Sequence, residues 1–343
     1  MATQTENDQK NTRVLLASRP NGEPTVENFT VETVDVPALQ SGEIAVRTVW
    51  LSLDPYMRGR MNAGKSYVAP IEVGAVMGGE VAGVVVATKS DAFVVGDEVT
   101  AYSGWQRVAV MPAAHAQKVE PLGVPLSTRL GVVGMPARTA YFGLLRLGRP
   151  VAGETVVVSA ASGAVGSVVG QIAKLKGCHV VGVAGGAEKC NYVTEELGFD
   201  ACIDYRAGDL ATNLAAACPK GIDVYFENVG GEVTRAVAGL LNVGARAPIC
   251  GMVALYNSPD MSKEETPFHV FGALKNPPEH RFFVVSEWRD ENPQANAELA
   301  SWVRDGKLKY RESIAHGLEN APAAFLGMLK GKNFGKQLVK VSG

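Results

Sequence analysis

A chain of 343 residues, at roughly 150 per domain, has room for about two domains with cores of their own. Its 33 Lys plus Arg against 35 Asp plus Glu leave a formal charge of −2, without the basic surface that nucleic acid or an anionic membrane requires. A hydrophobic fraction of 46% excludes general disorder, and the 38 glycines, about 11% against a usual ~7%, make their placement the question to follow.

The opening MATQTENDQKNT has no basic start, apolar stretch or cleavage site, and reads as a polar tail rather than a signal peptide. From Val14 to about Ser103 the pattern is one of short strands and turns. Ile44, Val46 and Thr48 alternate with charged or small residues until Asp54-Pro55, where proline ends the ladder. Gly83 to Ala87 reads as a further strand, and Val94 to Val99 as another carrying a Gly96-Asp97 turn. This segment is expected to be an all-β module.

After about Met135 the rhythm becomes strand, glycine, helix. The uncharged run from Thr155 to Ala173 has the length of a membrane span, but glycines, Ser, Thr and Gln interrupt it, so a buried strand followed by a helix is expected and no membrane partner. Thr155 to Ser159 is the β-branched run that a strand covered on both faces needs. Val165, Val168, Val169, Ile172 and Leu175 then recur at helical spacing, with Gly177 placed as a C-cap. Strands at His179 to Ala184, Asp200 to Tyr205, Asp223 to Phe226 and Ala247 to Cys250 continue the alternation of a doubly wound α/β unit. The final Gln337 to Val341 reads as a strand rejoining the first module. The expected division is 1–133 with 304–343 for the β module, and 134–303 for the inserted α/β domain. Cys178, Cys190, Cys202, Cys218 and Cys250 are odd in number and contain no Cys-x-x-Cys pair, as expected of a reducing cytoplasm.

Between the first α/β strand and its helix lies Ala161-Ser162-Gly163-Ala164-Val165-Gly166, a variant of the dinucleotide fingerprint Gly-x-Gly-x-x-Gly. Gly163 lets the backbone approach a pyrophosphate, and Gly166 lets the helix pack close while its N-terminus faces the phosphates. An NAD enzyme places Asp or Glu at the end of the second strand to hold the ribose 2′-hydroxyl; here Ala184-Gly185-Gly186 stands instead. Small residues leave room for a 2′-phosphate and Lys189 supplies a charge, so NADP is expected.

These motifs carry a resemblance. Val94-x-Gly96-Asp97-x-Val99, the loop from Ala160 to Ser167, Gly185-Gly186-x-x-Lys189, Glu227-Asn228-Val229-Gly230-Gly231 and Asn333-Phe334-Gly335-Lys336 together resemble the zinc-independent medium-chain dehydrogenase/reductases. Within them the chain is similar to the leukotriene B4 dehydrogenase, prostaglandin reductase and 2-alkenal reductase group. Leu53-Asp54-Pro55-Tyr56-Met57-Arg58 and the segment from Cys250 to Asn257 are especially similar to its bacterial curcumin-reducing, NADPH-dependent branch. The resemblance implies a Rossmann-type doubly wound sheet, a mainly β GroES-like catalytic domain and a homodimer. It also implies that Tyr205, Asn228 and Asn333 touch the cofactor, and that Cys250, Gly251, Met252 and Tyr256, with Phe282, Phe283 and Val284, pass beside its nicotinamide.

Zinc enzymes of this superfamily need a Cys in the first module and a Gly-His-Glu turn, but the turn here is Gly78-Gly79-Glu80 and the module has no cysteine. The five histidines, at 115, 179, 269, 280 and 316, have no ligand spacing, so no metal is expected. Without metal ligands, a conjugated enone is the easier substrate. Hydride added at its β-carbon moves charge onto the carbonyl oxygen as an enolate, which neutral donors can stabilise. The expected reaction is NADPH-dependent reduction of the C=C bond of a small α,β-unsaturated carbonyl. Tyr256, after a strand end over the crevice, is the expected donor, and Tyr56 and Arg58 are expected to line the substrate's approach. None of the nine tyrosines has a lysine four residues on, as a short-chain reductase would need. A quinone oxidoreductase of the same fold, or a non-catalytic NADPH-binding protein, remains an alternative at this point.

Overall fold

The computed structural model describes residues 9–64 and 69–342; most of the expected polar tail, residues 1–8, lies outside them. In chain order the strands are β1 (Lys10–Leu16), β2 (Phe29–Asp35), β3 (Glu43–Ser52), β4 (Val81–Thr88), β5 (Glu98–Ala101), β6 (Val108–Pro112) and β7 (Ala116–Lys118). There follow β8 (Thr155–Ser159), β9 (His179–Ala184), β10 (Ala201–Asp204), β11 (Ile222–Phe226), β12 (Leu241–Ile249) and β13 (Glu279–Phe282), then β14 (Glu312–His316) and β15 (Lys336–Lys340).

The chain forms two units. The first runs through Pro121 and includes Pro125–Leu130 and the segment from Glu312 on; the second holds Leu122–Val124 and Gly131–Arg311. They part at Leu130/Gly131 and Arg311/Glu312, against the 133/134 and 303/304 read from sequence. The helix Asn292–Arg304 stays with the second unit because Asn296 and Glu298 accept from Arg138 Nη1 (3.1 Å) and the Tyr141 hydroxyl (2.6 Å). Lys309 is held there too, its backbone N and O bonded to the Gln171 side chain.

In the first unit, β14-β15-β3-β4-β5-β7 form a sheet to which β6 adds by pairing with β3, while β1 and β2 make a separate antiparallel pair. Two sequence expectations change here. The polar tail ends before Lys10, because β1 pairs along its length with β2 and sets Lys10 opposite Asp35 and Arg13 opposite Glu32, ion pairs of 2.5 Å each. Val94–Asp97 is a turn before β5 rather than part of a strand, with Gly96 at φ 99°. The return of the C-terminal strand holds, since β15 pairs antiparallel with β3. The core centres on buried Trp105, stacked on Phe29 at 5.8 Å and edge-on to Phe325 at 5.6 Å.

The second unit is a six-stranded parallel sheet in the order β10-β9-β8-β11-β12-β13. The order reverses between β8 and β11, and doubly wound folds bind their ligands outside the carboxyl ends of the strands at that reversal. All five residues of β8 are buried, as the β-branched run required.

Candidate functional site

The glycine loop follows β8. Ala160 takes the left-handed conformation (φ 51°), and Gly163 N donates to its carbonyl oxygen at 2.9 Å. A Cβ on Gly166 would lie 2.4 Å from that oxygen, so the helix Gly166–Leu175 can start this close only with glycine at its first position. Gly163, Ala164 and Val165 are half-exposed just before the helix, in which Ser167 N and Val168 N donate to Gly163 O and Val165 O. The helix ends at Gly177 (φ 80°), where Gly177 N donates to Lys174 O and Cys178 N to Ala173 O in a Schellman pattern. Leu175, expected on the buried face, is instead 45% exposed in that last turn.

The end of β9 forms the second part. A Cβ on Gly185 would lie 2.8 Å from the Tyr205 ring and hydroxyl and 2.9 Å from Arg206 Nε, so both side chains lie directly over this glycine. The Arg206 guanidinium sits 5.6 Å from the Tyr205 ring centroid. Asp204 Oδ1 accepts from Gly186 N (2.8 Å) and Arg206 N (2.9 Å), joining the ends of β9 and β10. That carboxylate belongs to the neighbouring strand and is committed to the turn, so Ala184-Gly185 keeps no acid of its own. Burial, and then the charge of Arg206, lower the pKa of the Lys189 ammonium. Lys189 and Arg206, both near this end of the sheet, are donors of the kind a phosphate group accepts from. Lys189 and Tyr205 were expected at this strand end and Arg206 was not; the pairing of Asp204 with Ala184 across parallel strands is what brings it beside Gly185.

The third part lies at the carboxyl end of β11. Asn228 is fixed by Ser159, its N accepted by the hydroxyl and its Nδ2 by the carbonyl oxygen, both at 2.8 Å. Val253 N donates to Asn228 O and Ala254 N to Val229 O, folding the Val253–Leu255 turn back across the strand end. The Tyr256 hydroxyl consequently comes so near Gly251 that a Cβ there would be 3.1 Å from it and 3.4 Å from Asn228 O. Met252 packs against Gly230 on the same loop, where a Cβ would meet its own at 3.5 Å. Cys250 has its thiol pushed up to about 12 by burial and by the Glu227 carboxylate, the opposite of an activated nucleophile. Phe282 belongs to the partly buried shell of the second unit's core. Phe283 is buried edge-on to Phe226 (6.1 Å) and Trp288 (5.9 Å), and Val284 N donates to Glu287 Oε1 (2.9 Å).

In the first unit, Tyr56 opens the short helix Tyr56–Arg60 directly after Asp54-Pro55. Its hydroxyl is held well above the usual phenol value by burial, then by Asp54, and it hydrogen-bonds Tyr102, which in turn accepts from Arg60 Nη1. Arg58 is 1% exposed, and its guanidinium donates to Gly22 O (2.5 Å) and Asn62 Oδ1 (2.7 Å), so it supports the surrounding loops from below. Asn333 Nδ2 closes its own turn on Gly335 O at 2.8 Å. Gly79 stands where zinc enzymes carry their histidine, and a Cβ there would already be within 3.1–3.2 Å of Leu51, Trp105 and Met57. The place of the metal ligand is occupied by apolar packing. Among the described residues no group of three or more His, Cys, Asp or Glu could hold a metal.

Family models match the two halves separately, an N-terminal domain of oxidoreductases at residues 12–119 and a zinc-binding dehydrogenase domain at 164–297. The NADPH-dependent curcumin reductase of Escherichia coli K12 is 49% identical over 339 residues, 98% of each chain. The chain belongs to the zinc-independent medium-chain dehydrogenase/reductases. Within this family, prostaglandin reductase 1 of Sus scrofa is 43% identical over 324 residues, 93% of this chain and 95% of that protein. The crystal structure of CurA from Vibrio vulnificus in complex with NADPH matches with a TM-score of 0.92 at 46% identity, covering 97% of this chain and 99% of that one. The Escherichia coli quinone oxidoreductase structure, at 20% identity and a TM-score of 0.77, shares the fold alone. For a zinc-independent member, metal analysis of the purified protein is expected to find far less than one zinc per chain, with turnover unchanged by a chelator; stoichiometric zinc would contradict this.

Proposed function

We propose that the protein is an NADPH-dependent ene reductase that saturates the C=C bond of α,β-unsaturated ketones and aldehydes. The observation that carries this reading is the Tyr256 hydroxyl, folded over Gly251 at the carboxyl end of β11 in a unit with an intact phosphate loop. The names of the relatives, an NADPH-dependent curcumin reductase and a prostaglandin reductase, agree with it. Bound NADPH supplies the hydride for the substrate's β-carbon. Lys189 and Arg206 hold its 2′-phosphate with Tyr205 alongside, Gly163 to Gly166 receive the pyrophosphate, and Asn228 with the loop from Cys250 to Tyr256 borders the nicotinamide. Tyr256 donates a hydrogen bond to the carbonyl oxygen, where negative charge grows as the enolate forms, and a proton then adds at the α-carbon to give the saturated carbonyl. In the first unit, Tyr56 is assigned to the substrate, with Arg58 fixing the loops around it, and Asn333 to the cofactor. Phe282 to Val284 contribute backbone at the strand end, since the Phe283 ring is buried in the core.

A homodimer and a cytoplasmic location belong to the same reading. β13 leaves one edge of the sheet open for a second copy, and the five cysteines are free thiols, as a reducing compartment keeps them. Among the described residues no helix is long and apolar enough to cross a membrane.

The test is NADPH oxidation with 2-alkenals, enones including curcumin, oxo-prostaglandin-like lipids and quinones, with the products identified. Saturated carbonyl products are expected; allylic alcohols, or turnover of quinones alone, would overturn the assignment. Tyr256→Phe is expected to lower kcat about ten-fold on enones with the KM for NADPH unchanged, since it removes one hydrogen bond to the developing oxyanion. An unchanged kcat would take Tyr256 out of the chemistry.

A further inference from the structure

Glu227 follows β11 directly and is fully buried. Its Oε1 accepts from the Tyr225 hydroxyl (2.8 Å), the Ser159 hydroxyl (3.2 Å), Val229 N (2.8 Å) and Gly230 N (3.0 Å), and its Oε2 accepts from the Thr234 hydroxyl. Two of these donors are backbone N–H groups leading into the helix Gly231–Ala238, which can only donate, so Oε1 meets them as an acceptor. No ion pair among the described residues includes Glu227, so hydrogen-bond donors rather than a cation surround its carboxyl group. Its own carbonyl oxygen accepts from Cys250 N (2.8 Å) and Gly251 N (3.2 Å), the loop that carries Tyr256. Burial first, and the neighbouring Glu227 after it, raise the Cys250 thiol and the Tyr225 phenol.

A positioning role for the backbone explains the five hydrogen bonds but leaves the charge itself without a use, because a neutral amide could accept most of them. The charge lies at the carboxyl ends of β11 and β12, the half of a doubly wound crevice that receives the ring-bearing end of a dinucleotide. Nicotinamide is cationic when oxidised and neutral when reduced. We propose that Glu227 supplies a fixed negative charge that favours the oxidised ring over the reduced one, and so strengthens bound NADPH as a hydride donor. The proposal rests on the NADPH reading above. At an effective dielectric constant of about 20, one unit charge acting across roughly 10 Å is worth about a ten-fold change in relative affinity.

The experiment compares the dissociation constants of NADPH and NADP+ for the wild-type protein and Glu227→Gln, without substrate. The amide is isosteric and keeps an acceptor for Val229 and Gly230, and the Thr234 hydroxyl can turn to accept from it. The expected result is that affinity for NADP+ falls about ten-fold while that for NADPH stays within two-fold. A purely positioning role would weaken both equally, and that outcome, or no change in either, would overturn the proposal. Thr234→Val removes one donor and keeps the charge, so the preference for NADP+ should hold or rise whatever happens to Tm; a fall would also overturn it. Wild-type protein that binds neither nucleotide would overturn the cofactor reading along with the proposal, a result distinct from equal weakening in the variant.

Discussion

Replacing both Lys189 and Arg206 by alanine should raise the KM for NADPH about a hundred-fold while that for NADH moves less than two-fold. The two nucleotides differ only in the 2′-phosphate, so any residue acting through the rest of the molecule changes both. A hydrogen bond to a charged group contributes ~1.5–3 kcal/mol. Arg206 is exposed and Lys189 half-buried, so the lower end applies, about ten-fold for each. The single variants should therefore fall between, with Lys189→Ala the larger, since it is the more shielded from solvent. Salt should narrow the difference between wild type and variants, because part of the attraction is screened. Equal losses for NADPH and NADH would show that the pair shapes the end of β9 rather than reading the phosphate.

The second large effect is on stability. Lys336 Nζ donates to Leu53 O at 2.6 Å and to Asp54 Oδ1 at 2.9 Å, and the side chains of the pair are only 4% and 7% exposed. The Ser52 hydroxyl holds the other carboxylate oxygen. This pair joins the start of β15, and with it the Asn333 turn, to the segment that leads into Tyr56. Lys336→Met leaves the Asp54 charge buried without its partner, which costs about 3–5 kcal/mol. In a chain of this size that corresponds to a fall in Tm of roughly 4–7 °C, measurable by calorimetry. The double variant Lys336→Met with Asp54→Asn should recover much of the loss, because the stranded charge is gone. A single variant as stable as wild type would mean that water or a neighbouring group takes over the role of the ammonium.

Much of the α/β unit was legible in the chain itself. The uninterrupted β-branched run of β8 needs cover on both faces, and at Gly166 after it a Cβ would lie 2.4 Å from Ala160 O, which no other residue satisfies. The absence of zinc ligands was equally plain at Gly79. The first unit was harder. Lys10 to Thr12 look like a polar tail because their strand character comes from ion pairs and hydrogen bonds to β2, about twenty residues away. Val94 and Val95 look like strand, yet both are exposed in a turn, 63% and 44%, because Gly96 and the bond from Val94 N to Asp97 Oδ2 bend the chain there.

The candidate site divides in the same way. The glycine loop, the lack of an acid after β9 and the lysine five residues on were legible in local sequence, because each belongs to a turn or a helix start spanning only a few residues. Arg206 over Gly185, the Tyr256 hydroxyl beside Asn228, the burial of Arg58 and the five donors around Glu227 were settled by the folded chain alone. Parallel strands bring together residues 20 to 70 positions apart, as when Ser159 meets Asn228. The energy of those encounters comes from desolvation and hydrogen bonding at the strand ends, and no short stretch of sequence contains both partners.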